Sequence, residues 1–175
     1  MEGAEIEGGS NRRLNRFVAM TVVMLSIAMA LTKIKDDNIV QAMQADKAAS
    51  VDTWSEYQAA RVKLHITQGL DALHPGGGPT AADKIAKYQS ESQALKAKAE
   101  GFEADYDRQG YRDDQFDLSD GFSSVALAVA AIAALVESYG LLAFCWVTGA
   151  IGILMSVAGF AGLPIHPDAL VAFLT

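Results

Sequence analysis

The chain has 175 residues, long enough for one modest domain or for a few membrane helices with a part outside the bilayer. Its 14 Lys and Arg against 21 Asp and Glu leave a net charge of -7, which argues against nucleic acid as a partner because phosphate binding needs a basic face. Hydrophobic residues reach 51% and are gathered into three uncharged stretches, which excludes an ordinary water-soluble globule; the single Cys145 excludes an intrachain disulfide and a Cys-rich zinc site.

Residues 1–16 form a short tail carrying Arg12, Arg13 and Arg16. The first apolar stretch, Phe17 to Thr32, would span roughly 24 Å as a helix, somewhat short of a hydrocarbon core of about 30 Å. Lys33 can snorkel and Ile34 extends the apolar run, so a transmembrane helix is expected over 17–34. A cleaved signal peptide would read similarly, with Ala28-Met29-Ala30 as its small-residue site. The uncleaved anchor is the expectation here.

The segment 33–120 carries 11 Lys/Arg and 16 Asp/Glu. From Ala81 the residues Ile85, Tyr88, Ser92, Leu95, Ala99, Phe102 and Tyr106 follow alternating steps of four and three, the 3.5-residue repeat of a coiled-coil seam. Thr80 with Asp83 resembles a capping box at this helix's start. The preceding helix offers a less regular stripe: Val51, Ser55, Ala59, Val62, Ile66, Leu70 and Leu73. HPGGGP at 74–79 separates the two, and no helix traverses it. Lys33–Leu73 and Thr80–Asp120 are each 41 residues long. Equal antiparallel helices leaving and re-entering a bilayer are therefore expected over 35–120, each reaching about 60 Å if unbroken. Gly101 and Gly110 weaken the second helix, with a break before the membrane as one outcome.

Two further apolar stretches, Gly121–Val136 and Leu141–Leu163, are separated by four residues and predict a transmembrane hairpin over 121–137 and 140–163, before a tail at 164–175. Small residues line both: Ala126, Ala130 and Ala134 in one, Gly149, Gly152, Ser156 and Gly159 in the other. Such seams let helix backbones approach in lipid. One is expected to serve packing within the chain and the other a subunit interface, together with Ile39 and Met43 at the base of the first long helix.

Little chemistry is encoded. His65, His74 and His166 lack metal-ligand spacing, and no Walker, GxSxG, HExxH or dinucleotide motif occurs. Asp113, Asp114, Asp117 and Asp120 form an acidic run that could present oxygen ligands to Ca²⁺ or Mg²⁺, although a solvated, self-repelling juxtamembrane segment is the expected reading. No cofactor is expected.

The run from Lys33 to Ile66, with its Trp-x-x-Tyr-Gln-Ala element at Trp54, Tyr57, Gln58 and Ala59, resembles a bacterial membrane family known as domain-of-unknown-function family 4337. The resemblance extends over nearly the whole chain: an Arg-flanked first span, an Ala- and Gln-rich helix and a closing apolar hairpin. It implies an integral protein of the bacterial inner membrane and carries over no catalytic residue.

The fold expected is thus all-α: three transmembrane helices with a long antiparallel helical-hairpin, coiled-coil-like stalk. The N-terminal arginines place the N-terminus in the cytoplasm and the stalk in the periplasm. The function expected is that of a structural or accessory membrane protein, not an enzyme, contacting lipid and assembling as a homo-oligomer or within a larger complex. A homo-oligomeric channel and a metal-responsive sensor built on the acidic run are the alternatives.

Overall fold

The computed structural model describes residues 3–73, 79–165 and 171, with side chains from Arg12 onward. Three helices account for nearly all of it: α1 (Gly3–Leu73), α2 (Pro79–Val136) and α3 (Tyr139–Ala161), with no strand among the described residues. No proline interrupts any of them; Pro79 stands at the first position of α2, where its missing N–H is no loss. The expected tip at 74–79 lies outside the described residues apart from Pro79, as does most of the tail beyond Ile165.

Gly101 and Gly110 do not break α2. A glycine inside a helix costs about 1 kcal/mol, and here it is flanked by packed residues that offset this: Ala99 and Phe116 are fully buried and Phe102 and Tyr106 half-buried. The helix ends at Glu137, which adopts a left-handed φ of 53°. Ser138 then takes an extended conformation and caps α3, its side chain accepting from the Leu141 N–H.

The chain forms two compact units, residues 1–40 with 110–175, and residues 41–109. In the first, α1 and α3 run parallel. Trp146 Nε1 donates to Thr21 Oγ1 at 2.9 Å and the Thr32 and Ser156 hydroxyls meet at 2.7 Å, with sequence separations of 125 and 124 that scarcely change over three turns. The α2 segment runs antiparallel to both, so that a Cβ on Gly149 would meet Ala126, one on Gly152 would meet Ser123 and one on Gly159 would meet Phe116. Leu14, Val18, Leu25, Ala126, Ala130, Ala133, Leu142 and Cys145 form the core. The outer faces are apolar: Met20, Val23, Met24, Ile27 and Leu31 of α1, Ile132 and Leu135 of α2, and Val147, Leu154 and Val157 of α3 are all exposed. Each of the three helices contains a window long and apolar enough to cross a membrane.

In the second unit the 41–73 part of α1 lies antiparallel to the 79–109 part of α2. Trp54 Nε1 donates to Glu103 Oε1 at 2.8 Å and Gln109 Nε2 to Asp46 Oδ2 at 2.7 Å, while Lys47 Nζ sits over the Tyr106 ring. The α2 residues Ala81, Ile85, Tyr88, Ser92, Leu95, Ala99, Phe102 and Tyr106 are all buried or half-buried, so the stripe read from their spacing is the packed one.

For α1 the sequence reading requires correction. Val51, Ser55, Ala59, Val62, Ile66, Leu70 and Leu73 are all exposed. The packed face is instead Ser50, Thr53, Tyr57, Ala60, Leu64, Thr67 and Asp71, a strict alternation of three and four that is short of bulky aliphatic residues. Hydrophobicity alone does not pick this face: apart from Leu64 and Tyr57 its residues are small or polar, and they leave room for the half-buried large residues of the α2 stripe, so the more apolar face of α1 is not the one used.

Candidate functional site

At the end of the first unit where the apolar stretches of α1 and α2 meet charged sequence, polar side chains gather in the packed interior. Buried positions on α1 recur at alternating three- and four-residue steps, and that register brings Thr32 and Asp36 inward with Val18, Leu25 and Ile39. From α2, Gln115, Phe116, Ser119 and Ser123 are buried, and from α3, Ser156 and Gly159.

The end of α3 is held by two α2 side chains. Gly162, left-handed at φ 62°, returns its N–H to the Ala158 carbonyl, as a helix C-terminal cap requires. Arg112 Nε donates to the Gly159 carbonyl at 3.0 Å, placing a cation at the negative end of the helix dipole. Gln115 Nε2 donates to the carbonyls of Leu163 and Ile165 at 2.8 and 2.6 Å. Carbonyls that the helix leaves open are thereby satisfied from a neighbouring element.

Beside this cap lies a carboxylate pair. Asp36 is 5% exposed; its Oδ2 accepts from Lys33 Nζ at 2.8 Å, while its Oδ1 is buried with no partner. Lys33 also reaches Asp37 at 3.4 Å. The Asp113 carboxyl is within hydrogen-bonding reach of Asp36, and its pKa is pushed up to about 6, first by burial, then by the bond to Asp36 and by the charges of Asp117, Asp36 and Asp114. Asp117 is raised too, by burial and by Asp36, with Lys33 opposing. A proton kept on Asp113 removes its repulsion with the neighbouring carboxylates and supplies a donor to buried Asp36.

Of the acidic run noted in the sequence, Asp113 and Asp117 join Asp36 and Lys33, and Asp114 and Asp120 bear on them through their charge. Among the described residues no three His, Cys, Asp or Glu side chains are grouped so as to hold a metal ion. Asp36, the most buried acid of the cluster, was not singled out in the sequence. Its signal was there: it occupies a packed position in the alternating register of α1.

The small-residue seams are occupied within the chain. Ala126 and Ala130 are fully buried and Ala134 half-buried; Gly149, Gly152, Ser156 and Gly159 are all buried. A Cβ built on Gly152 falls 2.5 Å from Ser123 Oγ, and one on Gly159 falls 2.7 Å from the Phe116 ring. Ile39 is buried and Met43 half-buried. Close approach inside the three-helix packing of the first unit thus places the small residues of both seams between this chain's own helices.

A family profile described as a domain of unknown function, DUF4337, matches residues 14–162. This chain belongs to the DUF4337 family. The matched span opens at Leu14, a fully buried core residue, and closes at Gly162, the left-handed cap of α3, so the DUF4337 domain takes in both units. No curated protein matches the chain, and no solved structure does.

Proposed function

We propose that this DUF4337 protein is an integral membrane component with a structural or accessory role and no catalytic activity, assembling through the unit formed by residues 41–109. The observation that carries this reading is the apolar surface left outside the packing in both units. Around the first unit, side chains such as Met24, Ile27, Leu154 and Val157 are more than half exposed, a cost in water that lipid removes. In the second, the exposed Val51, Val62, Ile66 and Leu70 lie on a helix rich in charge, where protein is the fitting cover.

The proposal includes a bacterial inner-membrane location, implied by the family resemblance, with Arg12, Arg13 and Arg16 retained in the cytoplasm. The test is the mass of the native complex after mild detergent extraction from alkali-washed membranes. The expected result is retention in the washed membrane and a protein mass of at least two chains. Release by alkali, or a monomeric mass at all concentrations, would overturn the reading.

A further inference from the structure

Where α1 and α3 run side by side in the first unit, a crevice of about 190 Å³ opens between them and reaches inward to α2. Leu31 of α1 and Ile153, Val157 and Phe160 of α3 are its exposed walls, and Ser119 and Ser123 of α2 lie at its inner end. These serines are only 3% and 2% exposed, and neither hydroxyl has a hydrogen-bond partner among the described residues. Thr21, Thr32 and Thr148 show the usual solution in an apolar helix, each donating to the carbonyl four residues back. Ser119 and Ser123 forgo it, so two buried donors stand open where they line the crevice.

We propose that the crevice holds an acyl ester of a bilayer glycerolipid, its ester carbonyl accepting from Ser119 and Ser123 and its chain lying against Leu31, Ile153, Val157 and Phe160. Depth supports this occupant. Both serines stand within about 5 Å of Asp120 along α2, and Leu31 stands about 3 Å before Lys33 along α1. For a spanning bundle that is the boundary of the hydrocarbon core, where the ester groups of a lipid lie. Chemistry supports the same occupant. An ester carbonyl brings acceptors and no donor, which complements two open hydroxyls, and an acyl chain covers the apolar mouth that water would leave bare. None of the lining residues is charged, so the site reads the ester and the chain and is indifferent to the headgroup.

This inference rests on the membrane-spanning reading proposed above and adds a defined ligand to it. The test uses the full chain in dodecyl maltoside, a detergent without an ester, titrated with dioleoyl phosphatidylcholine or with its dialkyl ether analogue. The ether lipid keeps the headgroup and the chains and lacks only the carbonyls. Lipid adducts are counted by native mass spectrometry. The expected result is a first adduct about fivefold tighter with the ester lipid, the amount one net hydrogen bond carries. Ser119→Ala with Ser123→Ala should erase that preference and leave binding of the ether lipid unchanged. The same variant should melt no lower than the parent in lipid-free detergent, since it removes only unpartnered hydroxyls. Equal binding of the two lipids by the parent chain, or no adduct with either, would overturn the inference; water or a neighbouring subunit in the crevice gives these results. That comparison needs no variant. A double variant that keeps the ester preference would overturn the assignment as well. Any of these outcomes from a chain retained in alkali-washed membranes leaves the spanning role standing, whereas release by alkali would overturn both.

Discussion

Asp36 illustrates how a single position sets a chemical property. A carboxylate at a packed position of α1 is held by Lys33 on one oxygen and left with an unpartnered buried oxygen on the other, so the neighbouring Asp113 gains by keeping its proton. The folded chain therefore binds that proton more tightly than the unfolded chain, whose ordinary value is 3.8 against about 6 when folded. The stabilisation is complete below the unfolded value and is lost as pH rises through about 6. Thermal unfolding in detergent should show a midpoint that falls between pH 4.5 and 7, and Asp113→Asn should flatten that dependence because its amide donates to Asp36 at every pH. An unchanged slope in the variant would show that the proton resides elsewhere.

At the scale of helices, what matters is which face of each one is used. Leu64, buried at 4% exposure, and Ile66, exposed at 58%, sit two residues apart on α1. Leu64→Ala should cost about 2–5 kcal/mol in unfolding free energy. Ile66→Ala should change the stability of the dissociated chain by no more than about 0.5 kcal/mol. Glycines divide in the same way. Gly152→Ala drives a methyl into Ser123 and the Ser119 carbonyl and should destabilise by about 1–3 kcal/mol, whereas Gly101→Ala meets nothing within 4 Å and should stabilise by about 0.5–1 kcal/mol. Chemical denaturation of each variant in one detergent checks all four. This contrast also shows what was legible in the sequence. The α2 stripe could be read because five of its eight positions, Ile85, Tyr88, Leu95, Phe102 and Tyr106, are large and regularly spaced, even though its most buried members are Ser92 and Ala99; the apolar stretches could be read from composition alone. The α1 face could not be chosen by hydrophobicity, since apart from Leu64 and Tyr57 its packed residues are small or polar. Likewise the acids of α2 were visible as a run, but their buried partner Asp36, 77 residues away from Asp113, becomes a neighbour only through helix packing.

Over the whole molecule, the apolar outer faces of both units are the surfaces on which the proposed contact role rests. The orientation proposed here predicts that a cysteine at exposed Thr80, in the second unit, is labelled from the periplasmic side of intact cells by a membrane-impermeant maleimide. Labelling only after the inner membrane is opened would reverse the assignment. The parallel course of α1 and α3, with α2 antiparallel to both, has its own consequence for such experiments. It groups Arg13 with Glu137 at one end of the first unit and Asp37 with Leu163 at the other, all four being exposed. For a bilayer-spanning bundle, the first two must report one aqueous compartment and the last two the opposite one, whichever way the chain is inserted. Four single-cysteine reporters thus form an internally redundant set, in which any disagreement within a pair exposes a mixed population of insertions before the compartments themselves are named.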